Sequence, residues 1–398
     1  MKRITTGKAI TGLPEIWTLI KAVFKGDYAA GKNTRILPKL LSEYLGVKHT
    51  ALCNSGSSAN LLAMTALTSP NLKNHIKAGD EVITSICGFP TTLNPILQNN
   101  LVPVFVDIKL DTLNIDENQI ESKITKKTKA IFIVHTLGNP CNMTKIMAIC
   151  KKHKLWLIED NCDALGSVYK EKKTGSFGHI STLSFYPAHH ITTGEGGAVC
   201  TNDTELYNII QSYCNWGRAC VCPPNKDNLC GKRFSQKYGK LPFGYDHKSV
   251  VEHIGYNLKM PELCASIGVA QFKRLDKFVV KRVLNNSTLF GKLKHIKDLK
   301  LHGFEKDSIP SWFGFPMTLS NKNRRKQFVD YLESKGIATR PLFAGNFTKH
   351  PAYLSYSDKQ DYPIADYVSE NTLWIGCHPG IGKKEIDYIV KTIEEYFV

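Results

Sequence analysis

Residues that can do chemistry are concentrated in a few short segments of this sequence. Three cysteines, Cys220, Cys222 and Cys230, stand close together in a polar stretch, and Cys162 follows a pair of carboxylates farther upstream. Residues 184–197 combine hydroxyl groups, two adjacent histidines, a glutamate and several glycines. Four thiolates suit zinc or an iron–sulfur cluster equally well, and histidine transfers protons near neutral pH. These residue types are able to bind a metal ion and to carry out acid–base chemistry, and by themselves they do not choose between zinc and iron.

A phosphate-binding turn is indicated by residues 54–60, Asn-Ser-Gly-Ser-Ser-Ala-Asn, which precede a helical run. The backbone N–H groups around Gly56, Ser57 and Ser58 belong to the first turn of that helix, where the helix dipole favours an anion. Serine and asparagine are also the commonest residues that cap helix N-termini. On these residues alone, capping and phosphate binding both stay open.

A carboxylate at the end of a buried strand is the next candidate. Residues 155–160, Leu-Trp-Leu-Ile-Glu-Asp, have the pattern of a buried strand that ends in two acidic residues. In doubly wound sheets, ligands lie beyond the carboxyl ends of the strands. Asp160 can pair there with a protonated pyridine nitrogen, which keeps such a ring an electron sink. The alternative is that Asp160 only caps the following turn.

Strand-like and helix-like patterns alternate over most of the first 280 residues. The predicted strands are at 81–86, 102–108, 130–135, 155–160, 180–186 and 198–201, and the predicted helices include 58–67 and 144–152. This alternation is typical of an α/β domain with a mainly parallel sheet. Helices near 323–335 and 383–396 predict a smaller C-terminal α/β domain at 281–398. Residues 217–245 lack periodicity, so we expect a long insertion loop within the 1–280 domain.

Composition narrows the class of protein. The 398-residue chain is 42% hydrophobic, which is ordinary for a soluble globular protein with a sizeable core. It has no apolar run long enough to span a bilayer and no signal-peptide pattern, so we expect a cytoplasmic protein with no membrane role and without disulfides. The net charge of +17 is scattered in short runs, which argues against a nucleic-acid binder. That charge can serve an anionic small substrate or an acidic protein partner.

The stretch 184–197, Ser-Phe-Tyr-Pro-Ala-His-His-Ile-Thr-Thr-Gly-Glu-Gly-Gly, resembles the active-site segment of the pyridoxal-phosphate (PLP) sugar aminotransferase family. In that family the segment runs Ser-Phe, three residues, Lys, and then Thr-x-Gly-Glu-Gly-Gly, so the spacing aligns His189 with the Schiff-base lysine. Further matches follow in the same order along the chain. They are Asn-Ser-Gly-Ser-Ser at 54–58, Phe89, Glu159-Asp160 and Gly-Tyr-Asn-Leu-Lys-Met at 255–260. The resemblance implies an α/β fold of the aspartate-aminotransferase type (fold type I), with a large mainly parallel-sheet domain and a small C-terminal domain.

The resemblance also implies roles for individual residues. It implies that His189 is the catalytic base, and that Asp163 and Tyr186 flank the cofactor and the sugar hydroxyl, as in the dehydratase branch of the family. The implied cofactor-binding residues are Gly56, Ser57, Ser58, Phe89, Asp160, Ser184 and Asn257. Asn257 is implied to reach the cofactor phosphate of the neighbouring subunit in a homodimer.

Histidine in place of the lysine changes the expected chemistry. Imidazole cannot form the imine that a lysine amine forms with the cofactor aldehyde. We therefore expect the amine form, pyridoxamine 5′-phosphate (PMP), to be held without a covalent bond. With an ordinary pKa of about 6.5, His189 can then act as a base near neutral pH. An inactive protein that keeps the fold is the alternative, and the intact motif around His189 argues against it.

The cysteine spacing distinguishes between branches of the family. Two branches carry this histidine, and both are sugar 3-dehydratases. Cys162, Cys220, Cys222 and Cys230 are separated by fifty-seven, one and seven residues, which resembles the [2Fe–2S] signature of the iron–sulfur branch. The resemblance implies the CDP-sugar substrate CDP-4-dehydro-6-deoxyglucose and, as a partner, an NADH-dependent flavin and iron–sulfur reductase. Structural zinc at the cysteines, an ordinary aminotransferase and a redox-independent dehydratase are the alternatives.

Overall fold

The computed structural model describes residues 3–222, 228–320, 324–357 and 360–398. The helices, in chain order, are α1 (Leu13–Phe24), α2 (Asn33–Leu45), α3 (Gly56–Leu67), α4 (Pro90–Gln98), α5 (Glu117–Ile120), α6 (Met143–His153), α7 (Thr204–Cys214), α8 (Glu262–Phe272), α9 (Leu275–Leu293), α10 (Arg325–Ser334), α11 (Pro363–Asn371) and α12 (Lys383–Phe397). The strands are β1 (His49–Cys53), β2 (Glu81–Ser85), β3 (Val102–Val106), β4 (Thr128–Val134), β5 (Trp156–Asp160), β6 (Val168–Tyr169), β7 (Lys172–Lys173), β8 (Ile180–Ser184), β9 (Gly197–Thr201), β10 (Leu299–Leu301), β11 (Ser308–Ile309), β12 (Gly314–Leu319), β13 (Thr339–Pro341) and β14 (Thr372–Gly376).

The main sheet of the described ranges has seven strands in the order β1-β9-β8-β5-β4-β2-β3. The strands from β3 to β8 in that order pair in parallel, whereas the β8–β9 and β9–β1 pairs are antiparallel. Strand β4 is buried along almost its whole length, which explains the continuous apolar run at 130–134. Strands β8 and β9 are also fully buried, although they contain serine and threonine. The predicted α/β fold with a mainly parallel sheet is confirmed, and each predicted strand is present with slightly different bounds.

A second sheet, in the order β10-β12-β14-β13, lies in the C-terminal part of the chain. The apolar sides of α10 and α12 pack against it, with Phe328, Leu332, Ile389 and Ile393 fully buried in one cluster. The helix predicted at 323–335 is α10, and residue 323 itself lies outside the described residues. Helix α9 runs without a break through residue 280, so the boundary expected there falls inside a helix, and the division into two domains stays a prediction.

The exposed apolar side chains of the described ranges include those of α1 and of the predicted insertion loop. On α1, the side chains of Leu13, Trp17 and Phe24 are exposed. The predicted insertion at 217–245, described here for 217–222 and 228–245, contains no helix or strand and exposes Phe234 and Phe243. Both places are surfaces that another chain can cover. In the part of the chain that the structure describes, no helix combines the length and apolar character needed to cross a membrane.

Candidate active site

A cavity of about 930 Å³ opens at the carboxyl ends of β4, β5 and β8. The last residues of these strands, Val134, Asp160 and Ser184, all line it. Parallel strands end at the same edge of a sheet, so polar groups from distant parts of the sequence meet there. The predicted site residues that line this cavity are Gly56, Ser57, Phe89, Asp160, Cys162, Asp163, Ser184, Tyr186 and His189.

Two predicted cofactor-binding residues, both described by the structure, do not line the cavity. The N–H of Ser58 donates to Oγ of Ser55 at 3.0 Å, and the Ser55 hydroxyl donates to Oγ of Ser58 at 3.0 Å. Ser58 therefore takes part in capping α3, as the capping alternative proposed. Asn257 is exposed and its backbone pairs with that of Asn215. Its role toward a neighbouring subunit stays a prediction.

The first turn of α3 packs directly against the end of β8. A Cβ atom at Gly56 would lie 2.4 Å from Cβ and 2.7 Å from Oγ of Ser184, so any larger residue would collide with that strand. Oδ1 of Asn54, just before this turn, is buried without a hydrogen-bond partner in the described structure. A close-packed glycine, a hydroxyl and a helix N-terminus form a cradle suited to a phosphate group.

Asp160 is held rigidly at the end of β5. Its Oδ2 accepts hydrogen bonds from Nδ2 of Asn60 at 2.8 Å and from the Thr92 hydroxyl at 2.7 Å. Its Oδ1 accepts from the N–H of Cys162 at 3.2 Å. Asn60 is fixed in turn, because its Oδ1 accepts from the Thr182 hydroxyl at 2.6 Å. Asp160 thus does more than cap a turn: it presents a buried, oriented carboxylate to the cavity.

His189 lies in the turn that follows β8, where its N–H donates to the Tyr186 carbonyl at 2.9 Å. Its Nδ1 lies 3.4 Å from Oδ1 of Asp163, close to it but without the geometry of a hydrogen bond. The imidazole ring stands against the ring of Phe313, with 5.0 Å between their centroids. The structure therefore brings the predicted base and acid together at the edge of the cavity.

The protonation of this pair differs from the ordinary values. Burial first, and then the positive charge of Arg282, lower the pKa of His189 to about 3. Burial first, and then the nearby Asp160, raise the pKa of Asp163 well above its usual range. The ordinary pKa expected for His189 from the sequence is therefore wrong in this structure. The imidazole is neutral at physiological pH, and the protonated form of Asp163 is favoured.

The far wall of the cavity comes from the C-terminal part of the chain and has no signal in the sequence motifs. Arg340 on β13 lines it, together with Phe343, His350 and Trp374. Arg340 stands opposite Trp374 in the pairing of β13 with β14. Within the described ranges, Arg340 is the lone lysine or arginine of the cavity lining. The pairing of β13 with β14, which the sequence pattern did not predict, brings Arg340 and Trp374 together at this cavity.

The four predicted metal ligands fall into two groups. Cys162 lines the large cavity, and its Sγ lies 3.8 Å from the Thr182 hydroxyl. Cys220, Cys222 and Cys230 line a separate small cavity. Among the residues that the structure describes, no group of three or more His, Cys, Asp or Glu side chains is arranged to hold a metal ion. The structure brings three of the four thiols together and leaves Cys162 apart.

Comparison with known proteins identifies a family and two close relatives. The model of the DegT/DnrJ/EryC1/StrS aminotransferase family matches residues 14–394. The lipopolysaccharide biosynthesis protein RfbH of Salmonella typhimurium is 48% identical over 98% of this chain and 91% of its own length. The dTDP-4-dehydro-2,6-dideoxy-D-glucose 3-dehydratase of Saccharopolyspora spinosa is 46% identical over 95% of this chain and 83% of its own length.

Solved structures confirm the fold. The E. coli GDP-4-keto-6-deoxy-D-mannose-3-dehydratase with bound hydrated PLP superimposes with a TM-score of 0.86 at 30% sequence identity. The match covers 98% of this chain and 99% of that one. The fold type I architecture predicted from the motif resemblance is thereby confirmed over nearly the whole chain.

The buried neutral imidazole predicts a loss of stability in acid. In the unfolded chain histidine binds a proton near pH 6.5, whereas folded His189 binds one only near pH 3. The unfolded state takes up more protons between these values, so stability falls as the pH drops below about 6.5. Between roughly pH 7 and pH 5, the free energy of unfolding is expected to fall by about 2 kcal/mol less in His189→Asn than in the wild type, measured by denaturant unfolding. His295→Asn is the control because that side chain is exposed on the surface. Equal effects of the two substitutions would contradict the buried neutral state.

Proposed function

Because the chain belongs to the DegT/DnrJ/EryC1/StrS aminotransferase family, we propose that it is a CDP-4-dehydro-6-deoxyglucose 3-dehydratase. It would remove the C3 hydroxyl group on the route to the 3,6-dideoxyhexoses of lipopolysaccharide O-antigen. The observation that carries the proposal is His189, which occupies the position of the family's lysine and lines the cavity beside Asp163. No lysine is among the described residues that line this cavity. The sugar 3-dehydratases and the lipopolysaccharide protein among the relatives support the reaction class.

The cavity fits PMP or PLP. Its volume lies within the roughly 300–1,000 Å³ typical of small-molecule sites. Gly56 and Ser184 are suited to the phosphate, Phe89 to the ring face and Asp160 to the pyridine nitrogen. When bound, the cofactor supplies an amine that condenses with the sugar ketone and a ring that stores electrons. The residues of the chain then have to orient the sugar and move protons.

The proton chemistry is assigned to His189 and Asp163. With Asp163 on the Nδ1 side, Nε2 of His189 is left to take the proton from the cofactor C4′ carbon. The low pKa of His189 keeps the imidazole neutral and able to accept a proton. The residue would then be the group that delivers a proton to the leaving C3 hydroxyl. Tyr186, half-exposed at the cavity, is suited to hydrogen-bond a sugar hydroxyl.

The substrate diphosphate is assigned to Arg340. Three carboxylates, Asp160, Asp163 and Glu195, line the cavity, and Arg340 is the cation on the wall formed by β13. A guanidinium binds phosphate oxygens with two parallel hydrogen bonds. The exposed position of Arg340 at the rim suits the part of a sugar nucleotide that lies away from the reacting carbons.

A homodimer is supported by exposed apolar surface. Leu13, Trp17 and Phe24 on α1 are exposed in the single chain and require cover. Asn257 is also exposed, as expected of a residue that serves a neighbouring subunit. The cytoplasmic location stays a prediction.

A [2Fe–2S] cluster bound by Cys162, Cys220, Cys222 and Cys230 is the boldest part of the proposal. The three loop cysteines line one small cavity, which supports a shared thiolate site. Cys162 lines a different cavity, so the described arrangement does not fit a closed four-thiolate site, and the loop must rearrange to complete one. A cluster transfers single electrons, which zinc does not, and an NADH-dependent flavin and iron–sulfur reductase would supply them. A redox-independent 3-dehydratase and a PLP-dependent sugar aminotransferase of the same family are the alternatives.

The first expected result concerns the cofactor. The purified protein is expected to release PMP or PLP on mild denaturation, and borohydride is expected to attach no cofactor to a lysine. Gly56→Ala is expected to weaken cofactor binding about tenfold or more, because the new Cβ collides with Ser184. Gly291→Ala is the control, since nothing lies within 4 Å of a Cβ atom there. Cofactor fixed to a lysine of this chain would contradict the non-covalent assignment.

The second expected result concerns the substrate. CDP-4-dehydro-6-deoxyglucose is expected to be turned over in preference to its GDP and dTDP analogues. Arg340→Gln is expected to raise KM for the sugar nucleotide about 10- to 100-fold, because charge-assisted hydrogen bonds are lost, while cofactor affinity is unchanged. Lys384→Gln, on the exposed side of α12, is the control. Comparable turnover of all three nucleotides would limit the assignment to a sugar-nucleotide 3-dehydratase, and an unchanged KM would remove Arg340 from the site.

The third expected result concerns the metal. Protein prepared without oxygen is expected to contain about two irons per chain, measured by metal analysis, and to give a paramagnetic signal on reduction. Cys222→Ser is expected to lose the iron and the NADH-dependent deoxygenation but to keep proton exchange at C4′. Cys264→Ser, a partly exposed cysteine on α8, is the control. Stoichiometric zinc without iron or sulfide would return the protein to the redox-independent branch.

A further inference from the structure

Arg282, on α9, is the largest side chain that the fold buries completely, with 1% of its surface exposed. Within the described ranges it forms no salt bridge with a carboxylate; its two terminal nitrogens donate to four backbone carbonyls, and its Nε is buried without a partner. Burying an unpaired guanidinium costs several kcal/mol, so such a residue is retained only where its hydrogen bonds matter. It does not line the cavity, and so any effect on the reaction has to pass through another residue.

The guanidinium joins two segments that are far apart in the sequence. One terminal nitrogen donates to the carbonyls of Ala188 and His189, at 3.0 and 3.1 Å. The other donates to the carbonyls of Trp312 and Phe313, at 3.2 and 3.1 Å. The first pair belongs to the turn that carries the base, and the second leads into β12.

The two segments are also those whose rings meet at the cavity. Phe313 packs on the His189 ring, and Nε2 of His190 lies 2.7 Å from the carbonyl oxygen of Ser311. Because the planar guanidinium fork has fixed geometry, its four hydrogen bonds set the distance between the two backbones and hence the contact of the two rings. The positive charge of Arg282 also acts on both histidines. After burial, it is the next cause that lowers the pKa of His189 and of His190.

We propose that Arg282 is a positioning residue for the reaction: by binding these four carbonyls it fixes the His189 imidazole against Phe313 and couples its placement to the segment that leads into β12. The proposal rests on the proposed function only for the reaction that His189 performs. The placement of the turn itself can be measured in the protein without any assay of turnover.

The test compares Arg282→Lys and Arg282→Gln with Arg274→Gln. Lysine keeps the charge but cannot span four carbonyls, and glutamine loses both the charge and the fork. Arg274 stands just before the start of α9 and also binds a backbone carbonyl and a carboxylate, those of Ile10 and Glu15. It therefore controls for the general loss of partly buried hydrogen bonds.

In hydrogen-exchange mass spectrometry, both Arg282 variants are expected to exchange faster in residues 185–193 and 310–316, whereas Arg274→Gln is not. In turnover assays, Arg282→Gln is expected to lower kcat about 100-fold with KM changed less than about threefold, because misplacing a catalytic group lowers the rate and leaves substrate binding unchanged. The kcat of Arg282→Lys is expected to lie between those of the wild type and Arg282→Gln. If Arg282→Gln does not fold, the same two measurements on Arg282→Lys test the proposal.

Two results would overturn the proposal. One is unchanged exchange in both segments, and the other is a kcat loss no greater than that of Arg274→Gln. If the wild-type protein lacks dehydratase turnover while exchange in these segments still depends on Arg282, the proposed function fails and the anchoring of the His189 turn stands.

Discussion

The buried carboxylate of Asp160 is the interaction on which the rest of the site depends. A carboxylate removed from water is tolerated only when its oxygens accept hydrogen bonds. Its donors come from three elements: Asn60 on α3, Thr92 on α4 and the N–H of Cys162 after β5. Asn60 is itself held by Thr182 on β8. One carboxylate therefore ties together α3, α4 and the segment after β5.

The second constraint is the charge around His189. A histidine that replaces a lysine has to be neutral to accept a proton. Burial keeps His189 neutral because it lowers the pKa of the imidazole, which also lowers its affinity for a proton. Asp163 responds in the opposite sense, because burial favours its protonated form. Arg282 adds a permanent charge that is satisfied by carbonyl dipoles and not by an anion. A neutral imidazole at His189 thus lies beside Asp163, whose protonated form is favoured, which is the pairing that the proposed proton transfer needs.

Much of the fold and part of the site could be predicted from local sequence. Apolar runs with turn signals between them determine a mainly parallel sheet, because strand and helix periodicity are properties of short segments. The position of Asp160 at a strand end placed it at the ligand edge for the same reason. The motif around His189 predicted the family by residue order alone, and the family match confirms it. The role of His189 as the base stays a prediction. The cysteine spacing pointed to a cluster, whereas the fold joins Cys220, Cys222 and Cys230 and leaves Cys162 in another cavity.

The remaining features were decided by the tertiary structure. Arg340 reaches the cavity only because β13 pairs with β14, and Arg282 meets the His189 turn only because α9 crosses behind it. Neither position carries a local pattern, since each contact joins segments that are far apart in the sequence. The same holds for protonation: the sequence names His189 as a histidine of ordinary pKa, but burial and a distant arginine set its actual value. Residue type and order by themselves determined the fold class and the predicted reacting groups. Long-range packing decided the charge and orientation of these groups and the cavity wall that faces them. These features depend on which distant side chains the folded chain brings together.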